Sequence, residues 1–142
     1  MSWTDKYIGI PYKPLGRDIN GVDCYGLCVV VYKNEFNIDI PEYTHIGIKR
    51  ESTQEKQDIL NRDVSNYIKD KSKEHWQEIP FSEAKEFDFM LFKVCGFVTH
   101  IALCVGNNKI IHSFNGRDCV IEDIYPKWQG RIYKVLRWQK LD

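Results

Sequence analysis

The second half of the chain constrains the fold most. From Trp76 onward, short apolar runs alternate with turn signals, and strands are expected near Phe87–Val94, Val98–Val105, Lys109–Phe114, Val120–Ile124 and Arg131–Trp138. Gly106-Asn107-Asn108 and Asn115-Gly116-Arg117-Asp118 join neighbouring runs with residues that tolerate left-handed backbone, so hairpins are expected there. An antiparallel sheet of about five strands follows, and its apolar face needs a cover.

The first half supplies that cover. Asp23 precedes an apolar segment with helical spacing, and a helix is expected over about Cys24 to Asn34, with Leu27, Cys28, Val31 and Tyr32 inward. Ahead of it, Ile10-Pro11-Tyr12-Lys13-Pro14-Leu15-Gly16 carries two prolines and a glycine, which makes it extended and turn-rich. A second helix is expected after the capping-box pair Ser52 and Glu55, where Ile59, Leu60, Val64, Tyr67 and Ile68 recur at helical intervals in a highly charged segment. Helices first and strands afterwards read as α+β, with the N-terminal helices packed on an antiparallel sheet. At 142 residues, one domain over 1–142 is expected.

Composition removes several function classes. Twenty basic residues balance twenty acidic ones, so no net field favours nucleic acid or an anionic membrane. No apolar run reaches membrane-spanning length, and Met-Ser-Trp-Thr-Asp-Lys lacks the apolar core of a secretory signal. Synthesis in the cytoplasm is the expectation. The five cysteines are odd in number and irregularly spaced, unlike a disulfide framework. Cys24, Cys28, His100 and His112 have the right chemistry for zinc, but the eleven residues between the histidines do not match small zinc modules. No metal and no cofactor is expected. His45 and His75 lie in polar sequence and read as solvated.

What remains is nucleophile chemistry. Cys24 sits in the first turn of its helix, where unpaired N–H groups and the helix dipole favour a thiolate. Cys28 is one turn deeper and reads as packing. Of the five thiols, Cys24 alone is expected to have a depressed pKa and an opening to solvent, with Cys95, Cys104 and Cys119 protonated or inaccessible. A base is available in Thr99-His100-Ile101-Ala102-Leu103-Cys104-Val105, and a second imidazole in Lys109-Ile110-Ile111-His112. Hairpin register decides whether the two meet. A plain two-residue turn at Asn107-Asn108 puts His100 and His112 on opposite faces, whereas a longer loop or a bulge puts them on one face a diagonal step apart. In the second register Ala102 and Cys104 share the histidine face, and their small size leaves room there for a helix end. Cys24, His100 and His112 then have the logic of nucleophile, base and orienting group.

The segments Pro11-Tyr12 with Gly21-Val22-Asp23-Cys24-Tyr25-Gly26-Leu27, Thr99 to Asn107, and Ile110-Ile111-His112-Ser113 together resemble the motifs of the NlpC/P60 family of papain-like cell-wall cysteine peptidases. Asp88 stands where that family commonly has Gly-Asp before its first core strand. The resemblance covers about residues 8 to 138. It implies a papain-like fold, Cys24 as nucleophile, His100 as base and His112 as orienter, with Tyr12, Asp23, Tyr25 and Thr99 lining the site. It also implies the peptidoglycan stem peptide as substrate, typically at the bond between D-glutamate and the next diamino acid. Two departures stand out: Tyr25 replaces the usual serine after the nucleophile, and Ala102 replaces a frequent glycine. The aromatic residue resembles the phage-tail branch of the family, which implies a virion-tail location and other tail proteins as partners. The alternatives are a tail-tip structural protein with a vestigial site and an acyl or isopeptide hydrolase of the same superfamily.

Overall fold

The computed structural model describes residues 2–41, 52–71, 74–114 and 116–139. Strands β1 (Arg17–Asp18) and β2 (Gly21–Val22) form a small hairpin that leads into helix α1 (Cys24–Phe36). Helix α2 (Gln54–Lys71) follows, then strands β3 (Trp76–Ile79), β4 (Phe89–Val94), β5 (Phe97–Gly106), β6 (Lys109–His112), β7 (Val120–Asp123) and β8 (Ile132–Trp138). These last six make one antiparallel sheet in the order β3-β8-β4-β5-β6-β7. The fold is α+β as the sequence indicates, with one strand more than the expected five or so. β3 escapes sequence reading because its two central residues, Gln77 and Glu78, are both exposed, so it does not alternate. The meander holds from β4 to β7, but β8 returns to the free edge of β4, where Val135, Leu136 and Trp138 are buried.

Helix α1 is held against its own propensity. Val29-Val30-Val31 is a β-branched run that gains little from helix formation, and burial overrides it. Leu27, Cys28, Val31 and Tyr32 are fully enclosed against Phe89, Leu91, Ile101, Leu103 and Ile111. Each such aliphatic side chain contributes roughly 1.5–3 kcal/mol by leaving water. Asp23 caps the start, its Oδ1 accepting from the Gly26 N–H at 2.8 Å. Asn37, with φ of 55°, closes the end in left-handed backbone. Gly26 is required by a close approach, because a Cβ there would lie 1.9 Å from the Gly16 carbonyl oxygen of the preceding loop.

Helix α2 starts one residue later than the capping-box expectation. Thr53 supplies the cap, its Oγ1 accepting from the Lys56 N–H at 3.1 Å, so the Ser52–Glu55 pairing is displaced by one position. Val64 and Ser65 are its buried residues, Ile59 is exposed, and the Ser65 hydroxyl accepts from the Val98 N–H at 3.0 Å to fix α2 on β5. His45 and Asn115 lie outside the described residues. Among the described residues, no helix is long and apolar enough to cross a membrane.

The β5–β6 hairpin decides the rest. Asn107 and Asn108 both have positive φ, 54° and 58°, and Gly106 pairs with Lys109 across them, which is a two-residue turn of the twist that hairpins favour. Alone, that turn would separate the histidines. But Cys104 pairs with Ile110, leaving Val105 as an extra residue in a bulge. The bulge reverses the facing of everything beyond it, so Ala102 lies opposite His112 and His100 lies one diagonal step away.

Candidate active site

His100 and His112 meet on the sheet face turned away from the body of α1. His100 Nε2 lies 2.7 Å from His112 Nδ1. Both rings are enclosed, at 2% and 1% exposure, by aromatic side chains. Phe92 stacks on His100, Phe114 meets it edge-on, and Trp128 contacts both imidazoles. Met90, Ala102, Cys104, Ile110 and Val135 complete this second core. The room expected beside Ala102 and Cys104 for a helix end is taken instead by Trp128. The long side chains of Ile101, Leu103 and Ile111 take the contact with α1, while Ala102 and Cys104 leave space that the Trp128 indole fills.

Cys24 reaches the site from the end of its helix. β6 pairs with β5 only as far as Leu103 and Ile111, so the β5 backbone nearer His100 is open on that side. The thiol occupies that edge, with the Ile101 N–H and the Tyr25 N–H directed at its sulfur. Ile101 follows His100 in the chain, so the sulfur lies against the backbone beside the base. Among the described residues the thiol makes no hydrogen bond to His100.

The electrostatics differ from the expectation for Cys24. Burial, followed by the negative charge of Asp23, pushes the Cys24 thiol up to about 12, against the smaller opposing pull of the two N–H groups and Arg17. The helix-start position does not depress this pKa, because the thiol is partly enclosed and an acid caps the same turn. Cys104 and Cys119 are likewise pushed up to about 12 by burial, and Cys28 well up. Cys95 is exposed in the β4–β5 turn, whereas Cys28, Cys104 and Cys119 are buried. His100 is held well below the usual histidine value by burial and then by His112. His112 is also held low by burial, against the opposing bond and charge of Glu122. Both imidazoles are neutral at pH 7, and so is the thiol.

The other expected site residues fall into two groups. Tyr12 is half-buried, and its pKa is raised by burial and then by the charges of Cys24 and Asp23, which places its hydroxyl in the field of both. Thr99 is half-buried at a second β5 irregularity, where Phe92 pairs with His100 but Lys93 pairs with Val98. Asp23 and Tyr25 are occupied with structure. Asp23 Oδ2 accepts from the Leu15 N–H at 2.9 Å, and its Oδ1 also takes a 2.8 Å bond from Arg17 Nη1. The Tyr25 hydroxyl donates to the Pro41 carbonyl, and its ring packs edge-on to Phe89. Asp88 accepts both guanidinium bonds of Arg137, at 2.9 and 2.8 Å, and so ties β8 to the start of β4.

Glu122 was not foreseen. Its Oε1 lies 2.8 Å from His112 Nε2, on the far side of His112 from His100. β7 pairs Ile110 with Glu122, so the strand alternation carried the signal, but only once the β6–β7 register is known. Trp128 and Phe114 were missed for the same reason: each lies in irregular chain after a strand.

A family model, the NlpC/P60 family, matches residues 9–137. The chain belongs to the NlpC/P60 family. A curated relative, the murein DD-endopeptidase MepS/murein LD-carboxypeptidase of Escherichia coli (strain K12), is 22% identical over 130 residues. That match covers 91% of this chain and 56% of the relative, so the chain spans a little over half of the E. coli protein. The crystal structure of the NlpC/p60 domain of the peptidoglycan hydrolase SagA superposes with a TM-score of 0.63 at 23% identity, covering 94% of this chain and 92% of that one. RipD of Mycobacterium tuberculosis, described as a non-catalytic NlpC/p60 domain protein adapted to peptidoglycan binding, has a TM-score of 0.51 at 17% identity, covering 99% and 85%. These likenesses show the NlpC/P60 papain-like fold.

Proposed function

We propose that this protein is a cysteine peptidase that cuts an amide bond in the peptidoglycan stem peptide, with Cys24 as nucleophile, His100 as base and His112 as the group that orients His100. The observation that carries this reading is the 2.7 Å His100–His112 bond beside a helix-start thiol lodged against Ile101. A buried histidine pair joined ring to ring leaves one nitrogen of His100, Nδ1, for proton transfer. Membership of the NlpC/P60 family, with peptidoglycan hydrolases among its structural neighbours, supports the substrate class.

The resting thiol and imidazole are neutral, so the proton moves as the bond forms. Cys24 Sγ attacks the scissile carbonyl carbon while its proton passes to His100 Nδ1. The carbonyl electrons collect on an oxyanion near the helix start, where the Cys24 N–H has no intrahelical partner. Collapse of the intermediate breaks the C–N bond, and His100 Nδ1–H protonates the departing amine. A thioester remains on Cys24. His100 then takes a proton from water, which attacks the thioester and restores the thiol. A neutral thiol adjacent to a neutral base protects the nucleophile from oxidation between turnovers, since the thiolate is the vulnerable form.

Purified muropeptides incubated with the protein and analysed by mass spectrometry test the assignment. Shortened stem peptides are expected with the wild-type protein and none with Cys24→Ala. Binding to peptidoglycan without cleavage would instead favour the non-catalytic role described for RipD. A phage-tail setting is part of this proposal on a narrower basis, the resemblance of the segment around Tyr25, and detection of the protein in purified virions tests it.

A further inference from the structure

We propose that Glu122 is a positioning residue of the catalytic array, fixing the tautomers of both histidines so that His100 presents an unprotonated Nδ1 as the base. This inference rests on the catalytic reading of Cys24 and His100, but its geometry stands apart from it. Three groups lie in line: Glu122 Oε1 at 2.8 Å from His112 Nε2, and His112 Nδ1 at 2.7 Å from His100 Nε2.

The proton positions follow from what each atom can do. An ionised carboxylate only accepts, so His112 Nε2 must carry a hydrogen and donate it. A neutral imidazole has a single N–H, so His112 Nδ1 is then a lone pair and an acceptor. His100 Nε2 must therefore donate to it. The one remaining ring nitrogen, His100 Nδ1, is left with a lone pair. Without Glu122, either tautomer of His112 could form the same short contact to His100, and one of the two would turn His100 Nδ1 into a donor.

The surroundings of Glu122 support its ionised state. Burial alone would raise its pKa, but the bond and charge of His112, then Lys127 and Trp128, outweigh burial and hold it below the usual carboxylate range. Among the described residues, the buried Trp128 indole N–H has no acceptor at hydrogen-bonding geometry, yet it lies close enough to Glu122 to favour the charged form. Arg117 and Lys127 line the same recess beside His112. Among the described residues, His112 and Lys127 act on Glu122, and Arg117 lines the same recess. Once His100 has taken the thiol proton, the carboxylate also stabilises the positive charge through His112.

The test uses the full chain labelled with ¹⁵N-histidine, with ring-nitrogen NMR at pH 7 alongside hydrolysis kinetics. In the wild-type protein both His100 and His112 should be protonated at Nε2. In Glu122→Ala, His112 should become a mixture of tautomers, and kcat should fall about 10–100-fold with KM within about twofold. Glu122→Gln, whose carboxamide oxygen still accepts, should recover the Nε2–H tautomer and most of the lost kcat, which separates positioning from misfolding. A wild-type His112 protonated at Nδ1, or tautomers and kcat unchanged in Glu122→Ala, would overturn the inference. Should the wild-type protein cleave nothing, the catalytic reading fails, while the tautomer measurement still decides the role of Glu122.

Discussion

His100 and His112 are hydrogen-bonded across 2.7 Å although a two-residue turn joins their strands. The extra residue Val105 makes this possible. The geometry of the proposed catalytic pair thus depends on a backbone irregularity in β5, and the turn that follows it becomes a testable part of the site.

Asn107 and Asn108 each hold a positive φ that a β-carbon normally resists. Replacing Asn108 with Ala should cost roughly 1–2 kcal/mol, whereas Asn108→Gly should be neutral or stabilising. Urea denaturation of the two variants measures the difference. Equal losses in both would mean that the Asn108 side chain, rather than its backbone, holds the turn.

Asp23 carries three interactions with one carboxylate. Asp23→Ala removes the α1 cap and the ion pair to the half-buried Arg17 guanidinium, so a loss of about 2–4 kcal/mol is expected. Asp23→Asn keeps the cap oxygen and should lose less. Thermal or urea melts of the pair check the order.

The thiols should react in an order opposite to that expected from a poised nucleophile. Cys95 is exposed, while Cys24 is pushed up to about 12. Iodoacetamide on native protein at pH 7 should label Cys95 first by peptide mapping. In a Cys95→Ser variant, labelling of Cys24 should keep accelerating from pH 7 to pH 10 without levelling off. A plateau near pH 6 would show a preformed thiolate and contradict the neutral-pair account.

Acid should weaken the fold through the two histidines. Their folded pKa values lie below the ordinary 6.5, so below that pH the unfolded chain binds protons the native state refuses. Their contribution is fully present above about pH 6.5 and is lost as the pH falls, at up to about 1.4 kcal/mol per pH unit for each group. Urea midpoints from pH 7.5 to 5.5 should show this slope, and His100→Phe should flatten it. For the same reason the acid limb of kcat/KM should lie below pH 6.5.

Much of this was legible in the sequence because it depends on local chemistry. Asp23 as a cap, the apolar stripe of α1, and the five runs from Phe87 to Trp138 are each set by near neighbours. The pairing of His100 with His112 was legible only as a choice between registers, since a bulge at Val105 leaves no mark in residue types. Glu122 and Trp128 were out of reach because their roles depend on the register of β7 and on a turn beyond it. Helix position alone points to a depressed Cys24 pKa, whereas the enclosure of the thiol and its closeness to the Asp23 charge arise only in the folded chain.

Cys24 is the proposed site of the covalent intermediate, and trapping that intermediate tests the proposal most directly. Reaction with a stem-peptide fragment, quenched in acid within the first turnover, should give an intact mass increased by the acyl portion of the peptide, mapped to Cys24. The adduct should be absent in Cys24→Ala. Cleavage that proceeds with no adduct on Cys24, and at an undiminished rate in Cys24→Ala, would contradict the account.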